Sequence, residues 1–168
     1  NFDFDTVGLN FAGIFQFGKG WSIRPSLGLN FDLNPKEGLK KQYHQISPAL
    51  FVAKGFKIRS VQAFVEWSLA QHYTDSAYLA PGFPDDKLNR FETALTTGLK
   101  IPFNNFEFSP FLHLAFNNYS NQDRKDFLTN LGLDLKYSFS TWFYLKVFAN
   151  LSMRQSDDDI MDFNRFDT

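Results

Sequence analysis

The stretch RFETALTTGLKIPFNNFEFSPFLHLAF, residues 90–116, sets a large apolar side chain at nearly every second position on either side of Asn104-Asn105. Before the Asn pair, Phe91, Leu95, Leu99, Ile101 and Phe103 share one parity, and Arg90, Glu92, Ala94, Thr96, Gly98 and Lys100 share the other. After it the parity shifts: Phe106, Phe108, Leu112, Leu114 and Phe116 stand against Glu107, Ser109, His113 and Asn117. Period two is the spacing of a strand, whose successive side chains point to opposite faces. A two-residue turn at Asn-Asn would make Phe103 and Phe106 direct partners, and asparagine tolerates the positive φ of a type I′ turn. The stretch therefore predicts a hairpin with one apolar and one polar face.

The same pattern covers most of the chain. Residues 6–17 set Val7, Leu9, Phe11, Phe15 and Phe17 against Thr6, Gly8, Asn10, Ala12 and Gln16, and a Gly18-Lys19-Gly20 turn leads into a second strand at 21–32. Residues 45–56 and 61–73 predict a third and fourth strand across a turn at 57–60; 127–139 and 143–154 predict a seventh and eighth. Between hairpins the connections are longer and polar: NPKEGLKKQ (34–42), TDSAYLAPGFPDDKLN (74–89) and NNYSNQDRKD (117–126). Short turns alternating with long loops along a meander of strands are the mark of an up-and-down barrel.

Composition narrows the class. The 168 residues suit one domain and carry a formal net charge of -1, so no basic field favours nucleic acid. Aromatic residues make up 18% of the chain, 22 of them Phe, and so much ring surface needs a place to lie. The absence of Cys excludes a disulfide framework and a thiolate metal site. No apolar run reaches the eighteen or so residues of a spanning helix. Asn1 opens the sequence without an initiator Met or a signal peptide, so the N-terminus reads as processed or trimmed.

Volume decides which face is inside. An eight-strand barrel has an interior that side chains just fill, and the Phe, Leu, Ile, Val and Trp set would overfill it. The small and charged set fits: Arg24, Asp32, Glu66, Glu92, Lys100, Glu107, His113, Asp134, Lys136, Lys146 and Arg154 are the expected lumen-lining residues, spaced by Gly, Ala and Ser. The apolar set then faces outward, and only lipid tolerates so continuous a belt. Phe17, Trp21, Phe56, Phe103, Phe106, Tyr137, Phe139 and Phe143 fall near the short turns, as an interfacial aromatic girdle would.

On these residues the chain resembles the bacterial outer-membrane β-barrel class, porin-like in architecture. The resemblance implies an all-β, antiparallel transmembrane barrel in the outer membrane of a Gram-negative-type bacterium. Its partners would be outer-membrane lipid and lipopolysaccharide, small polar solutes, and in one version other envelope proteins, with no nucleic acid and no cofactor. In that class short turns and both termini face the periplasm, whereas here the first strand descends toward a short turn and the eighth leaves one. Two versions follow: a complete eight-strand barrel over residues 1–168, or a barrel of ten or more strands from which one strand at each end is lacking. The terminal MDFNRFDT could approach a next strand. The larger barrel predicts a narrow channel lined by the inward charges; the smaller predicts a non-conducting scaffold whose long loops bind a partner.

Catalytic and metal readings are weaker. His72 with Asp75, Asp85 and Asp86 resembles, in residue types alone, the Asp-His and Asp pairs of omptin-type proteases, and a solvated loop is the expected alternative. Ser109 and His113 share the inward parity, whereas a lipid-cleaving pair belongs on the lipid side, so an interior histidine with satisfied hydrogen bonds is expected. His44 sits at a loop end. SDDDIMD (156–162) lacks the glycine-punctuated loop and terminal Glu of an EF-hand and reads as solvated. No metal site and no catalytic residue are expected.

Overall fold

The computed structural model describes residues 5–34, 40–76, 88–140, 142–157 and 162–167, and nearly all of them lie in one antiparallel sheet. In chain order the strands are β1 (Asp5–Ala12), β2 (Phe15–Phe17), β3 (Trp21–Asn34), β4 (Lys40–Ile58), β5 (Val61–Ser76), β6 (Arg90–Phe103), β7 (Phe106–Tyr119), β8 (Lys125–Ser138), β9 (Tyr144–Ser156) and β10 (Phe163–Asp167). Each pairs with its sequence neighbour, β1 and β2 both with β3, which makes an up-and-down meander.

The predicted first strand is interrupted, and the cause is its partner. Ala12 pairs with Ser26 and Phe15 with Ile23, so Gly13 falls opposite Pro25 without a change of register. The Gly13 amide donates to the Pro25 carbonyl at 3.1 Å, but proline has no N–H to return, and the ladder skips. Two other ladder gaps coincide with prolines, Pro48 between β4 and β5 and Pro110 between β6 and β7, whereas the register shift between Asp32 and Leu33 in the β3–β4 ladder does not.

Two expectations change. The weak alternation of MDFNRFDT conceals a strand: β10 pairs Phe163 with Arg154 and Asp167 with Asn150. The eight expected strands become nine lanes, with β2 continuing the lane of β1. Among the described residues no ladder joins β1 to β10, so the sheet has two free edges rather than a closed seam. Because neighbours are antiparallel, these edge strands run in the same direction. The 117–126 loop also shrinks to 120–124, since β7 reaches Tyr119 and β8 starts at Lys125. The 34–42 and 74–89 loops fall largely outside the described residues.

The central hairpin has Phe103 opposite Phe106 as expected, but only Asn104 is left-handed, at φ 52°. A type I′ turn needs both central residues there, so the turn is of another kind. The next hairpin back turns at Arg59-Ser60, with Ile58 facing Val61, one step later than 57–60 would place it.

Burial sorts the two faces. Ser68, Ala70, Thr74, Ala94, Ala115, Asn117, Tyr119 and Asp126 are buried, and the registers put every one of them on the polar face. The apolar face stays open: Leu131 in mid-strand is 53% exposed and Leu151 beside it 36%. Among the described residues no second layer covers either face, so the polar side is crowded because the sheet curls toward it. Arg24 of β3 accordingly reaches Glu66 of β5 across β4, at 3.2 Å.

Rings fill the places where that face lacks side chains. Phe64 lies over Gly98, where an added Cβ would come within 2.7 Å of the ring and 3.1 Å of the Pro110 carbonyl, and Phe111 lies still closer over Gly132. These rings qualify the expectation that the polar face holds only small and charged residues; Phe51 and Phe148 sit there as well. Gly132→Ala should drive Phe111 off its seat and destabilise the sheet by about 1–3 kcal/mol, the usual cost of overpacking. Unfolding of Gly132→Ala beside a Gly132→Ala/Phe111→Ala double variant checks this, because the second change should make the first nearly neutral.

Candidate functional site: the polar face

Each expected lumen residue lies on this one face. Arg24 and Asp32 come from β3, Glu66 from β5, Glu92 and Lys100 from β6, Glu107 and His113 from β7, Asp134 and Lys136 from β8, and Lys146 and Arg154 from β9. Alternation fixes the face and register fixes the neighbours. Near the short turns Lys100 meets Glu107 at 3.0 Å and Lys146 meets Asp134 at 2.8 Å, while Lys136 stands over the Tyr144 ring at 4.4 Å. These lysines are about half exposed, so each pair contributes little to stability and leaves a wet polar surface. Arg24 adds a stack on Phe51, 4.2 Å from the ring centre, to its link with Glu66.

A chain of hydrogen bonds crosses the face toward its loop end. Tyr43 donates to Gln45 Oε1; Gln45 Nε2 donates to Ser47 Oγ at 2.7 Å; Ser47 Oγ lies 2.8 Å from His72 Nδ1. With Ser47 donating, His72 carries its proton on Nε2, which faces Glu92 at 3.7 Å. Thr96 and His113 Nδ1 are 2.8 Å apart one strand further on. Serine, histidine and carboxylate thus stand in order, but the serine hydroxyl is held between Gln45 and His72 on a crowded face, and the contact to Glu92 is long. The chain ties β4, β5 and β6 together.

His72 does not meet Asp75, and His113 is a histidine with a satisfied hydrogen bond, as expected. Asp75 lies opposite His44 on the parity away from His72, and Asp85 and Asp86 fall outside the described residues. His113 takes Thr96 rather than Ser109, which is two face positions away. His44 packs edge-on against Phe31 with ring centres 5.0 Å apart. From the 156–162 run, Asp162 accepts the Ser156 amide at 2.6 Å; Asp158, Asp159, Ile160 and Met161 are outside the described residues. No metal-binding cluster occurs among the described residues.

Beyond Phe127, at the loop end, alternation gave no warning of a compact knot. Asp126 is fully buried and accepts from Arg124 through both carboxylate oxygens, from Tyr119 at 3.1 Å and from Ser156 at 2.6 Å, with Arg154 at 3.9 Å. Arg124 also lies 4.4 Å from the Tyr119 ring centre.

The predicted girdle residues all lie at the short-turn end on the apolar side. Phe106, Tyr137, Phe139, Phe143 and Trp142 form a continuous row with ring centres 4.6, 4.6, 5.1 and 6.1 Å apart. Phe17, Trp21, Phe56 and Phe103 are similarly exposed there. Toward the loop end Tyr73, Phe91, Phe116 and Phe127 make a second exposed band.

These features define an all-β antiparallel meander with a crowded polar face and an open apolar one. Comparison with protein-family models, with curated proteins and with solved structures finds no match.

Proposed function

We propose that the chain forms a transmembrane β-barrel of the outer membrane of a Gram-negative-type bacterium and works as a narrow, porin-like channel for small hydrophilic solutes. The observation that carries this reading is the inverted burial: serine, threonine, asparagine and aspartate are covered while Phe, Leu, Val and Trp are left open across the other face. In water that distribution would expose far more apolar surface than a monomer tolerates, whereas in lipid it is the stable one. The two aromatic bands support it. Phe91 and Phe103 lie twelve residues apart on β6. At about 3.3 Å per residue and the usual 35–45° tilt, they are separated by roughly 30 Å of height, close to a hydrocarbon core.

The open edges bear on strand number. Since β1 and β10 run in the same direction, an antiparallel seam needs an odd number of further strands between them. One added strand makes ten, in line with the larger of the two barrels the alternation allows. The scaffold reading, with the loops binding an envelope partner, draws on the pairing of Arg24 with Glu66, Lys100 with Glu107 and Lys146 with Asp134, which a closed core would also need.

Single-channel recording of the full-length protein in a planar bilayer separates them. Steady, resolvable openings are expected. A silent membrane with insertion verified would overturn the channel in favour of the scaffold.

A further inference from the structure

At the short-turn end of the polar face a cavity of about 680 Å³ opens between β4, β5 and β6. Lys19, Lys57, Gln62, Lys100 and Ser109 stand around it, and Phe64, laid over Gly98, lines it with its ring. The Gly18–Gly20 turn is fastened beside it. The Lys54 ammonium donates to the Lys19 carbonyl, and Gly20, at φ 80°, approaches Gly55 so closely that a Cβ would lie 2.6 Å from the Gly55 carbonyl. The turn thus holds Lys19 at the cavity rim.

The charge around the cavity is unbalanced. Lys100 has Glu107, but Lys19 and Lys57 have no acidic partner among the described residues. Asp134 is engaged by Lys146, and Glu66 by Arg24. Two uncompensated ammonium groups beside an apolar ring surface suit a ligand with an anionic head and a flat apolar body. A bare inorganic anion would leave the ring uncovered, and a neutral aromatic would leave the ammonium groups unpaired.

We propose that this cavity binds small organic anions, a phosphate or carboxylate joined to an aromatic or similarly flat group, through Lys19, Lys57 and Phe64. Its position at the turn-side mouth of a conduit rests on the channel reading; the binding itself does not.

The test is calorimetric titration of the full-length protein in detergent micelles, at low ionic strength, with phenyl phosphate, inorganic phosphate and benzyl alcohol. Phenyl phosphate is expected to bind at least about tenfold more tightly than either fragment, since it alone gains both a charge-assisted contact and ring burial. A Lys19→Gln/Lys57→Gln variant should lose about tenfold or more for both phosphates. Phe64→Leu should weaken phenyl phosphate while leaving inorganic phosphate unchanged. Equal affinities for phenyl phosphate and benzyl alcohol, or a double variant that binds as the parent does, would overturn the proposal. A silent bilayer together with tight phenyl phosphate binding would remove the channel and keep the site, whereas conduction without that discrimination would remove the site and keep the channel.

Discussion

Leu131→Arg is expected to destabilise the protein in phospholipid vesicles by about 2–4 kcal/mol, the cost of an arginine on the lipid side of a barrel near the bilayer midplane. Leu131 is midway along β8, on the apolar face, between Leu112 of β7 and Leu151 of β9. The adjacent change, Asn130→Arg, puts the same charge on the opposite face between His113 and Ser152, where it should cost no more than about 1 kcal/mol. Two neighbouring positions thus receive one residue type with opposite expected outcomes, so helix or strand propensity and net charge cancel from the comparison. Denaturant unfolding in vesicles reads both. Equal costs would mean that the apolar face does not meet lipid, and the channel proposal would lose its principal support.

The same parity explains why so much of the fold was legible in the sequence. A strand that buries one face must alternate, and Phe103-Asn-Asn-Phe106 exposes both the alternation and the point at which it turns. The residues read as one set by parity therefore share one face of the sheet. Partners across strands were less legible because they depend on register. The turn at 59–60 sets Ser47 level with His72; reading it as 57–60 shifts that pairing by two residues and hides the Ser47–His72 link behind the more visible His72 and Asp75. Pro25 could not be recognised as the breaker of the first strand until its position opposite Gly13 was known. β10 escaped because its residues lie at an edge beside only one neighbour, where alternation is under weaker constraint. The Asp126 knot was hidden for a different reason: Arg124 and Tyr119 come from a loop and a strand end, where period two carries no information.

That knot gives the second large effect. Asp126→Ala should cost about 3–5 kcal/mol, because it removes the buried carboxylate that Arg124 holds through both oxygens and the acceptor for Tyr119 and Ser156. Asp134→Ala is the control: its pair with Lys146 is open to solvent, and losing it should cost far less. Denaturant unfolding of both variants reads the difference, and equal costs would mean that the loop-end knot owes its order to packing around Tyr119 rather than to the Arg124–Asp126 pair.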